Sequence, residues 1–230
     1  MKKKSLKIIS VGGSIIIPKS GFNIPFLKKF RKLILDEVKN GTKFVLIIGG
    51  GATCRQYQDA LKKTVKLKDV DLDWMGIHTT MVNAQFVKFL FKDHAYKDII
   101  TDPTKKVKTN KPIIIAAGYQ PGWSTDTDAV LMAKAYGATD VINLSNIDYV
   151  YDKDPAKFKS AKKIEETDWK TFRRDVVGNT WDPGKNAPFD PIASREAQKL
   201  GLRVSILKGT NLGEVKKVLG GKKFKGTVIE

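Results

Sequence analysis

Short apolar runs alternate along the chain with longer segments in which apolar residues recur every three or four positions. The runs have the length of strands, and the segments have the spacing of helices. We predict strands at residues 6–11, 44–48, 112–116, 141–144, 149–151, 202–207 and 227–229, the last at an edge of the sheet. We predict helices at residues 24–39, 53–65, 73–92, 127–136, 167–177, 191–200 and 212–219. Apolar strands that alternate with helices indicate an α/β fold whose mainly parallel sheet is covered on both faces.

Length and composition are those of one globular domain over residues 1–230. The chain has 41% apolar and 29% charged residues, which argues against disorder. Its apolar runs are far shorter than the roughly 20 residues of a membrane span. The charged N-terminus is not followed by the apolar core and cleavage site of a signal peptide, so we expect a cytoplasmic protein. One cysteine, Cys54, excludes an internal disulfide, and two histidines make a His-based zinc site unexpected.

The net charge of +18 is unevenly distributed along the chain. Residues 1–70 hold 16 basic and 4 acidic side chains and residues 161–230 hold 15 and 9, whereas residues 71–160 balance at 11 and 11. Such an excess can attract nucleic acid or steer anionic substrates. Because the lysines are spread along helices without interleaved aromatic residues, we favour a solvated lysine-rich surface over a nucleic-acid partner.

Two glycine clusters follow the first two predicted strands, at residues 12–14 and 49–51. Glycine lets a backbone approach a phosphate closely, and its bare amide groups can bind phosphate oxygens. Arg55 lies one turn into the helix after the second cluster, where a guanidinium can bind phosphate with two hydrogen bonds. Either cluster alone is also typical of a tight turn, but the pair favours phosphate binding. The P-loop and dinucleotide-binding glycine patterns are both missing from the sequence.

Three further segments carry polar residues at the ends of predicted strands. Residues 117–126 offer the hydroxyls of Ser124 and Thr125 and the aromatic rings of Tyr119 and Trp123. The same hydroxyls could simply cap the next helix, which is compatible with ligand binding. Residues 146–155 and 189–193 each contain an Asp-Pro pair, which is more typical of a turn or a helix start than of a catalytic group.

Six patterns follow one another along the chain: strand-GGS, strand-GGGxxxR, DxMGI, GxxPGxSTD, NxDxVYxxDP and xDPxA. In this order they resemble the amino-acid-kinase family over about residues 6–226. The segments 73–77 and 120–126 are most similar to the archaeal-type UMP kinases of that family. The resemblance implies a three-layer αβα sandwich with ATP and a phosphoryl acceptor side by side at the carboxyl edge of the sheet. It further implies that the N-terminal part binds mainly UMP and the C-terminal part mainly ATP, with Mg²⁺ arriving on ATP. A homohexamer and a place in pyrimidine nucleotide biosynthesis are also implied.

The resemblance also assigns roles to individual residues. Asp190, Arg55 and Asp126 would serve the reacting phosphates, and Asp190 is the better candidate for organising that centre. The predicted ATP-binding residues are Gly13, Ser14, Gly51, Arg55, Ser145, Asn146, Tyr151 and Asp154. The predicted UMP-binding residues are Gly50, Asp73, Tyr119, Gln120, Pro121, Gly122, Trp123, Ser124 and Thr125. The protein itself is assigned no metal ligand.

Three positions depart from the family pattern. Ser10 stands where many members carry a lysine that stabilises charge on the transferred group, and we hypothesise that Lys185 compensates for it. Tyr149 stands where glycine is usual, and Met81 replaces a more polar residue. Three alternatives stay open. One is a related kinase with a carbamate, carboxylate or isopentenyl-phosphate acceptor, and another is a non-catalytic protein that binds nucleotides or oxyanions. The third is a nucleic-acid-binding role for the basic N-terminal part of the chain.

Overall fold

A computed structural model describes residues 5–178 and 187–230. The strands are β1 (Leu6–Val11), β2 (Lys43–Ile48), β3 (Ala95–Ile100), β4 (Ile113–Ala116), β5 (Asp140–Ser145), β6 (Val150–Tyr151), β7 (Lys163–Ile164), β8 (Glu166–Thr167), β9 (Arg203–Lys208) and β10 (Thr227–Ile229). The helices are α1 (Gly13–Ile16), α2 (Ile24–Lys39), α3 (Gly51–Thr64), α4 (Asp69–Phe91), α5 (Thr125–Tyr136), α6 (Trp169–Phe172), α7 (Pro191–Lys199) and α8 (Leu212–Leu219). A 3₁₀ turn covers Lys92–His94, and a π-helical segment covers Arg173–Val177.

One eight-stranded sheet has the strand order β3-β4-β2-β1-β5-β9-β10-β8. All neighbouring pairs are parallel except β9 and β10, which run antiparallel, and β6 and β7 form a separate antiparallel pair. The carboxyl ends of β1, β2, β4 and β5 consequently meet at one edge of the sheet. Open parallel sheets bind their ligands at this edge.

Alternate residues of the central strands point into two separate apolar cores. Ile9 lies in the core beneath α2, α4 and α8, whereas its neighbour Ile8 lies in the core beneath α5, α6 and α7. Both side chains are fully buried. This arrangement confirms the three-layer sandwich expected from the sequence, because a strand buried on both faces must be apolar at every position.

Helix α2 illustrates how local sequence and packing agree. The Asn23 side chain caps the helix by accepting a hydrogen bond from the Phe26 amide at 3.2 Å, and Pro25 stands in the first turn. Phe26 and Phe30 stack with ring centroids 5.5 Å apart, and Phe30 meets Phe91 of α4 edge-on at 6.5 Å. Burying a phenylalanine side chain contributes roughly 1.5–3 kcal/mol, so these rings hold α2 and α4 together on the sheet.

Two sequence predictions need correction. The edge position predicted for β10 is wrong, because β8 pairs with its outer side. The single helix predicted at residues 167–177 is instead α6 followed by the π-helical segment. The wider π turn brings Val177 as well as Phe172 into the core, five residues apart.

Strand β3 is absent from the sequence prediction. Lys97 and Asp98 interrupt its apolar pattern, and their exposed side chains form an ion pair at 2.9 Å. Strand β3 lies at an edge of the sheet, and exposed charged residues are typical of edge strands.

Among the described residues, no helix combines the length and the apolar character that crossing a membrane requires.

Candidate active site

The turns after β1 and β2 touch each other through their backbones. The Gly12 amide donates to the Leu144 carbonyl at 2.8 Å, and the Gly49 amide donates to the Val11 carbonyl at 3.0 Å. A Cβ atom on Gly13 would lie 2.1 Å from the Gly51 nitrogen and 2.5 Å from the Gly49 carbonyl oxygen. No side chain fits in that space. The two turns must therefore be glycine where they meet.

Gly51, on the second turn, must also be glycine at this contact. Its φ of +67° favours glycine, and an added Cβ would lie 2.6 Å from the Gly13 carbonyl oxygen. The amides of Gly13, Ser14 and Gly50 have no hydrogen-bond partner among the described residues. They lie at or next to the starts of α1 and α3, where a helix leaves its first amides free. Several free amides thus lie in two turns that touch each other, and free amides of this kind are suited to binding phosphate oxygens.

A carboxyl group lies next to this pair of turns. Asp126 Oδ1 accepts a hydrogen bond from the Ser10 hydroxyl at 3.0 Å and another from the Asn143 amide group at 2.9 Å. Ser10 and Asn143 are paired in register on the neighbouring strands β1 and β5, so their side chains point the same way. Burial is the largest cause that raises the pKa of Asp126 to about 7, and the negative charge of Asp190 adds to it. Asp126 is therefore close to its protonation midpoint at neutral pH.

Asp190 is held more tightly than Asp126. Its Oδ1 caps α7 by accepting from the amides of Ile192 at 2.7 Å and Ala193 at 2.8 Å. Its Oδ2 accepts from the Thr127 hydroxyl at 3.0 Å and from the Ser124 hydroxyl. Both oxygens are thus occupied by hydrogen bonds from α5 and α7. Asp190 is buried and fixed in orientation, whereas the two side-chain hydrogen bonds to Asp126 both reach its Oδ1 atom.

A cavity of about 140 Å³ opens beside the glycine turns. It is enclosed by α3, α4 and the loop between β4 and α5. Its lining residues are Gly50, Cys54, Gln58, Asp73, Gly76, Ile77, Thr80, Gly118, Trp123, Ser124 and Thr125. Five of these, Gly50, Asp73, Trp123, Ser124 and Thr125, are among the predicted UMP-binding residues.

Helix α4 holds the walls of this cavity in place. Asp73 accepts a hydrogen bond from the Gly122 amide at 2.8 Å, and Thr80 accepts one from the Gly118 amide at 2.8 Å. The buried amide group of Asn83 donates to the carbonyls of Gly49 and Gly50, both at 2.9 Å. One helix therefore fixes both the second glycine turn and the loop opposite.

The remaining residues of the predicted acceptor loop lie around the cavity without lining it. Tyr119 and Trp123 contact each other with ring centroids 5.7 Å apart. Gln120, Pro121 and Gly122 are partly buried in the same loop. Hydrogen bonds at Gly118 and Gly122 thus fix the loop on α4, and Trp123 lines the cavity.

Arg55 lies on α3 with an exposed side chain and no ion pair among the described residues. Its charge lowers the pKa of the neighbouring Cys54 thiol, and the charge of Asp73 raises it. Burial raises that pKa most strongly, so the net shift is upward. Arg55 and Asp73 therefore both lie near enough to Cys54, a residue of the cavity wall, to affect its thiol.

The predicted ATP-binding residues lie in two places. Ser145 ends β5 next to the first glycine turn, with its Cα 3.8 Å from a Cβ placed on Gly12, and Asn146 follows it. Tyr151 lies in β6, and Asp154 caps an exposed turn by accepting from the Ala156 amide at 2.9 Å. No hydrogen bond recorded for residues 5–178 and 187–230 joins Tyr151 or Asp154 to the glycine turns. The structure brings Ser145 to the turns, whereas Tyr151 and Asp154 have no recorded hydrogen bond to them.

The three departures from the family pattern have distinct surroundings. Ser10 is buried against Asp126, as described above. Lys163 places its ammonium 5.0 Å from the centre of the Tyr149 ring, and Met81 packs against the core beneath α4. Lys185 lies outside the described residues.

Several residues in or beside the cavity were missed by sequence reasoning. Thr80 and Asn83, like Thr79, are buried polar positions among the apolar residues of α4, and that break in the pattern is the signal that could have found them. Gln58 and Cys54 face the cavity from α3. Their spacing of four residues places them on one helix face next to the glycine turn.

A larger cavity, of about 540 Å³, lies at the opposite, amino-terminal edge of the sheet. Its wall carries the basic residues Lys7, Arg203, Lys222 and Lys223. It also carries the acidic residues Asp140, Glu165 and Glu166. These charges nearly balance, and the cavity is remote from both interlocking glycine turns. The smaller cavity is therefore the better candidate for a phosphorylated substrate.

A model of the amino acid kinase family matches residues 5–208. The chain belongs to the amino acid kinase family. Among curated proteins, the uridylate kinase of Hyperthermus butylicus is 30% identical over 226 residues, covering 96% of this chain and 96% of that protein. The uridylate kinase of Pyrococcus abyssi is 28% identical over 225 residues, covering 97% and 98%.

Solved structures give the same fold for this amino-acid-kinase chain. The crystal structure of uridylate kinase from Archaeoglobus fulgidus matches with a TM-score of 0.82 at 24% identity, covering 99% of this chain and 100% of that one. The crystal structure of UMP kinase from Bacillus anthracis matches with a TM-score of 0.77 at 21% identity, covering 99% and 96%. The resemblance drawn from the sequence motifs is confirmed at the level of family and fold.

We predict that Gly13→Ala destabilises this amino-acid-kinase fold by about 2–4 kcal/mol, because its methyl group would meet the backbone of Gly49 and Gly51. Thermal unfolding of the purified variant measures the loss, and ATP affinity should fall with it. Gly213→Ala is the matched control, since its Cβ would come no closer than 3.4 Å to Asn211. An unchanged melting temperature and ATP affinity in Gly13→Ala would show that the turns do not interlock.

The second prediction concerns Asp128, which is 1% exposed and whose carboxyl oxygens have no hydrogen bond of good geometry among the described residues. Burial raises its pKa to about 8, a weak contact with the Tyr119 backbone opposes part of this, and the charges of Asp190 and Asp126 add to it. Between about pH 4 and pH 8 the unfolded chain ionises this group while the folded protein keeps it protonated. Stability must therefore fall as the pH rises through that window.

We expect Asp128→Asn to reduce the loss of stability between pH 5 and pH 8 by at most about 4 kcal/mol, which is 1.36 kcal/mol for each of the three pH units. Urea unfolding at both pH values measures this difference. Asp59→Asn, at an exposed position of α3, is the control and should leave the pH dependence unchanged. If the stability of Asp128→Asn depended on pH as steeply as that of the parent protein, Asp128 would not be protonated in the folded state.

Proposed function

We propose that the protein is an ATP-dependent UMP kinase, which transfers the γ-phosphoryl group of ATP to the phosphate of UMP. The observation that carries this proposal is the contact between the two glycine turns. Amides without a partner lie within these touching turns, where Gly50 lines the proposed acceptor cavity and Gly12 is bonded to the end of β5. Two phosphate groups that meet there would be bound by the same set of donors.

The acceptor nucleotide would occupy the cavity between α3, α4 and the loop at residues 118–125. Asp73 would contact ribose hydroxyls, and the Trp123 ring would offer an apolar face for a base; both residues line the cavity. Ser124 and Thr125 also line it, and the Ser124 hydroxyl donates to Asp190. The N-terminal part of the single domain would thus supply most of the acceptor site, and the C-terminal part would supply Ser145, Asn146, Tyr151 and Asp154 for ATP.

Phosphoryl transfer asks the protein mainly to position two anions and to neutralise charge. The attacking oxygen of UMP is already anionic, so this reaction needs no general base. Backbone amides of both glycine turns would bind the phosphates, and Arg55 would add a charged, bidentate donor. Asp190, fixed by four hydrogen bonds, would keep α5 and α7 in register at the reacting centre.

Mg²⁺ would arrive on ATP and neutralise phosphate charge during transfer. In the described part of the chain, no group of three or more metal-binding side chains is present. Mg²⁺ is commonly held by one or two carboxylates together with substrate phosphates, and the pair Asp126 and Asp190 fits that donor set. Because the hydrogen bonds to Asp190 occupy both of its oxygens, Asp126 would be the residue that faces the ion or its waters.

We predict that ADP release from ATP is faster with UMP than with CMP, carbamate or small carboxylic acids in a coupled assay. Arg55→Lys should lower kcat/KM for UMP about 10- to 100-fold, because lysine cannot make the bidentate contact. Lys63→Ala, an exposed site on the same helix, is the control and should leave kcat/KM unchanged. Turnover with another acceptor but not with UMP would favour the related kinases. ATP binding without any turnover would favour a non-catalytic protein.

We also propose that the protein assembles as a homohexamer in the cytoplasm and acts in pyrimidine nucleotide synthesis. Support for self-association comes from the outer face of α4, where Trp74, Val82 and Phe89 are 43%, 68% and 64% exposed. Such a row of apolar side chains on one helix is typical of a surface that another subunit covers.

Sedimentation velocity at micromolar concentration should give a single species of six chains. Val82→Glu should convert it to smaller species, because a charge in a covered apolar face is costly. Lys62→Glu, on the exposed part of α3, is the control. A monomer at micromolar concentration would rule out the hexamer without affecting the proposed reaction.

A further inference from the structure

The outer surface of α2 and α8 is strongly basic. The two helices pack side by side on the same face of the sheet. Together with the turn at residues 220–225, which follows α8, they carry ten basic and three acidic side chains, a net charge of +7. We call this surface the basic face.

The helical layer on the other side of the sheet is nearly balanced. Helices α5, α6 and α7 and the π-helical segment carry six basic and four acidic side chains. The exposed acidic groups there are paired, as in Arg174 with Asp175 at 2.6 Å and Lys199 with Glu196 at 2.9 Å. The positive charge of this protein is therefore asymmetric in space, which its distribution along the sequence did not reveal.

Few cations of the basic face are neutralised by neighbours. Lys32 pairs with Asp36 at 2.6 Å, and Lys217 pairs with Glu214 at 2.8 Å. The charge of Lys216 reaches across from α8 and helps to lower the pKa of Asp36, after the larger effects of Lys32 and Lys39. Within residues 5–178 and 187–230, no ion pair is recorded for Lys28, Lys29, Arg31, Lys216, Lys222, Lys223 or Lys225.

The basic face is also a fixed surface. Lys28, Lys32 and Lys39 lie on one outward stripe of α2, and at 1.5 Å per residue the stripe is roughly 17 Å long. The turn after α8 is anchored because the Lys225 amide donates to Glu214 at 2.7 Å and Phe224 packs against the core. The lysine ammonium groups are therefore carried on a rigid backbone.

These features match the phosphate backbone of a nucleic-acid duplex. A duplex presents one charge per roughly 1.7 Å of its axis, so a surface of this length faces several phosphates at once. No exposed large apolar side chain lies on α8 or in the turn, and on α2 only Ile24, at its first residue, is exposed. The apolar stripes of both helices are buried in the core, which argues against insertion into a membrane surface. The missing aromatic side chains argue against base stacking with single strands.

We propose that the basic face binds double-helical nucleic acid through its phosphate backbone, without reading base sequence. The basic face lies on the outside of the α2 and α8 layer, and none of its residues belongs to the candidate active site. Binding is therefore separable from phosphoryl transfer. Neutralising about five phosphates gives an affinity that falls steeply with salt, with a slope of log K against log salt of about −4 to −5.

Fluorescence anisotropy of the full chain with a labelled 20-base-pair DNA duplex at 50 and 200 mM salt tests this proposal. The quadruple variant Lys28→Glu, Lys29→Glu, Lys216→Glu and Lys222→Glu should weaken binding at 50 mM salt at least 100-fold. The matched control changes net charge equally on the opposite layer, with Lys134→Glu, Lys170→Glu, Arg195→Glu and Lys199→Glu. It should weaken binding less than threefold.

Equal weakening by the two quadruple variants would overturn the proposal, since it would show an effect of net charge alone. Binding of the parent chain to phosphatidylserine vesicles but not to duplex would also overturn it, as would tighter binding to single strands. Circular dichroism and kinase turnover check that each variant is folded. If the glutamate variant does not fold, glutamine at the same four positions should still weaken duplex binding about tenfold. An unchanged affinity of the glutamine variant would refute the proposal that the basic face binds the duplex.

Discussion

The close contact between two glycine turns is the constraint on which the candidate site depends. Gly13 and Gly51 approach so closely that neither tolerates a side chain, and this approach aligns the ends of β1 and β2. A third strand joins the arrangement through the hydrogen bond from Gly12 to Leu144 at the end of β5. The sheet thus delivers three chain segments to one place, and backbone amides become the main groups available there. Such amides bind phosphate of any nucleotide, so the surrounding side chains must supply selectivity.

Two buried carboxyl groups beside these turns differ in how they are held. Asp190 is surrounded by hydroxyl and amide donors, whereas Asp126 is supported on one oxygen by Ser10 and Asn143. The serine at position 10 removes the charge that a lysine would bring and leaves a neutral hydroxyl contact in its place. This explains why the pKa of Asp126 is raised, because no cation among the described residues offsets its burial or the charge of Asp190.

Much of the fold could be predicted because its central strands are apolar at nearly every position. The bounds of β1, α2 and α8 follow from pattern alone. The charged strand β3 escaped prediction, since an edge strand need not show an apolar pattern. In the candidate site, the glycine turns were recognisable as local motifs. The contact of Ser10 with Asp126 was not, because the two residues are 116 positions apart and only the parallel register of β1 and β5 brings Ser10 and Asn143 to the same carboxyl group.

Helix α4, which is 23 residues long, contributes both to the cavity and to the outer surface of the molecule. One side, through Asp73, Thr80 and Asn83, fixes both walls of the acceptor cavity, and the other side exposes Trp74 and Val82 to whatever covers it. A rigid rod cannot shift on one side without shifting on the other. A subunit that covered the outer side would therefore contact the same helix that lines the cavity. Binding in the proposed acceptor cavity and association of the chain would then both depend on the position of α4.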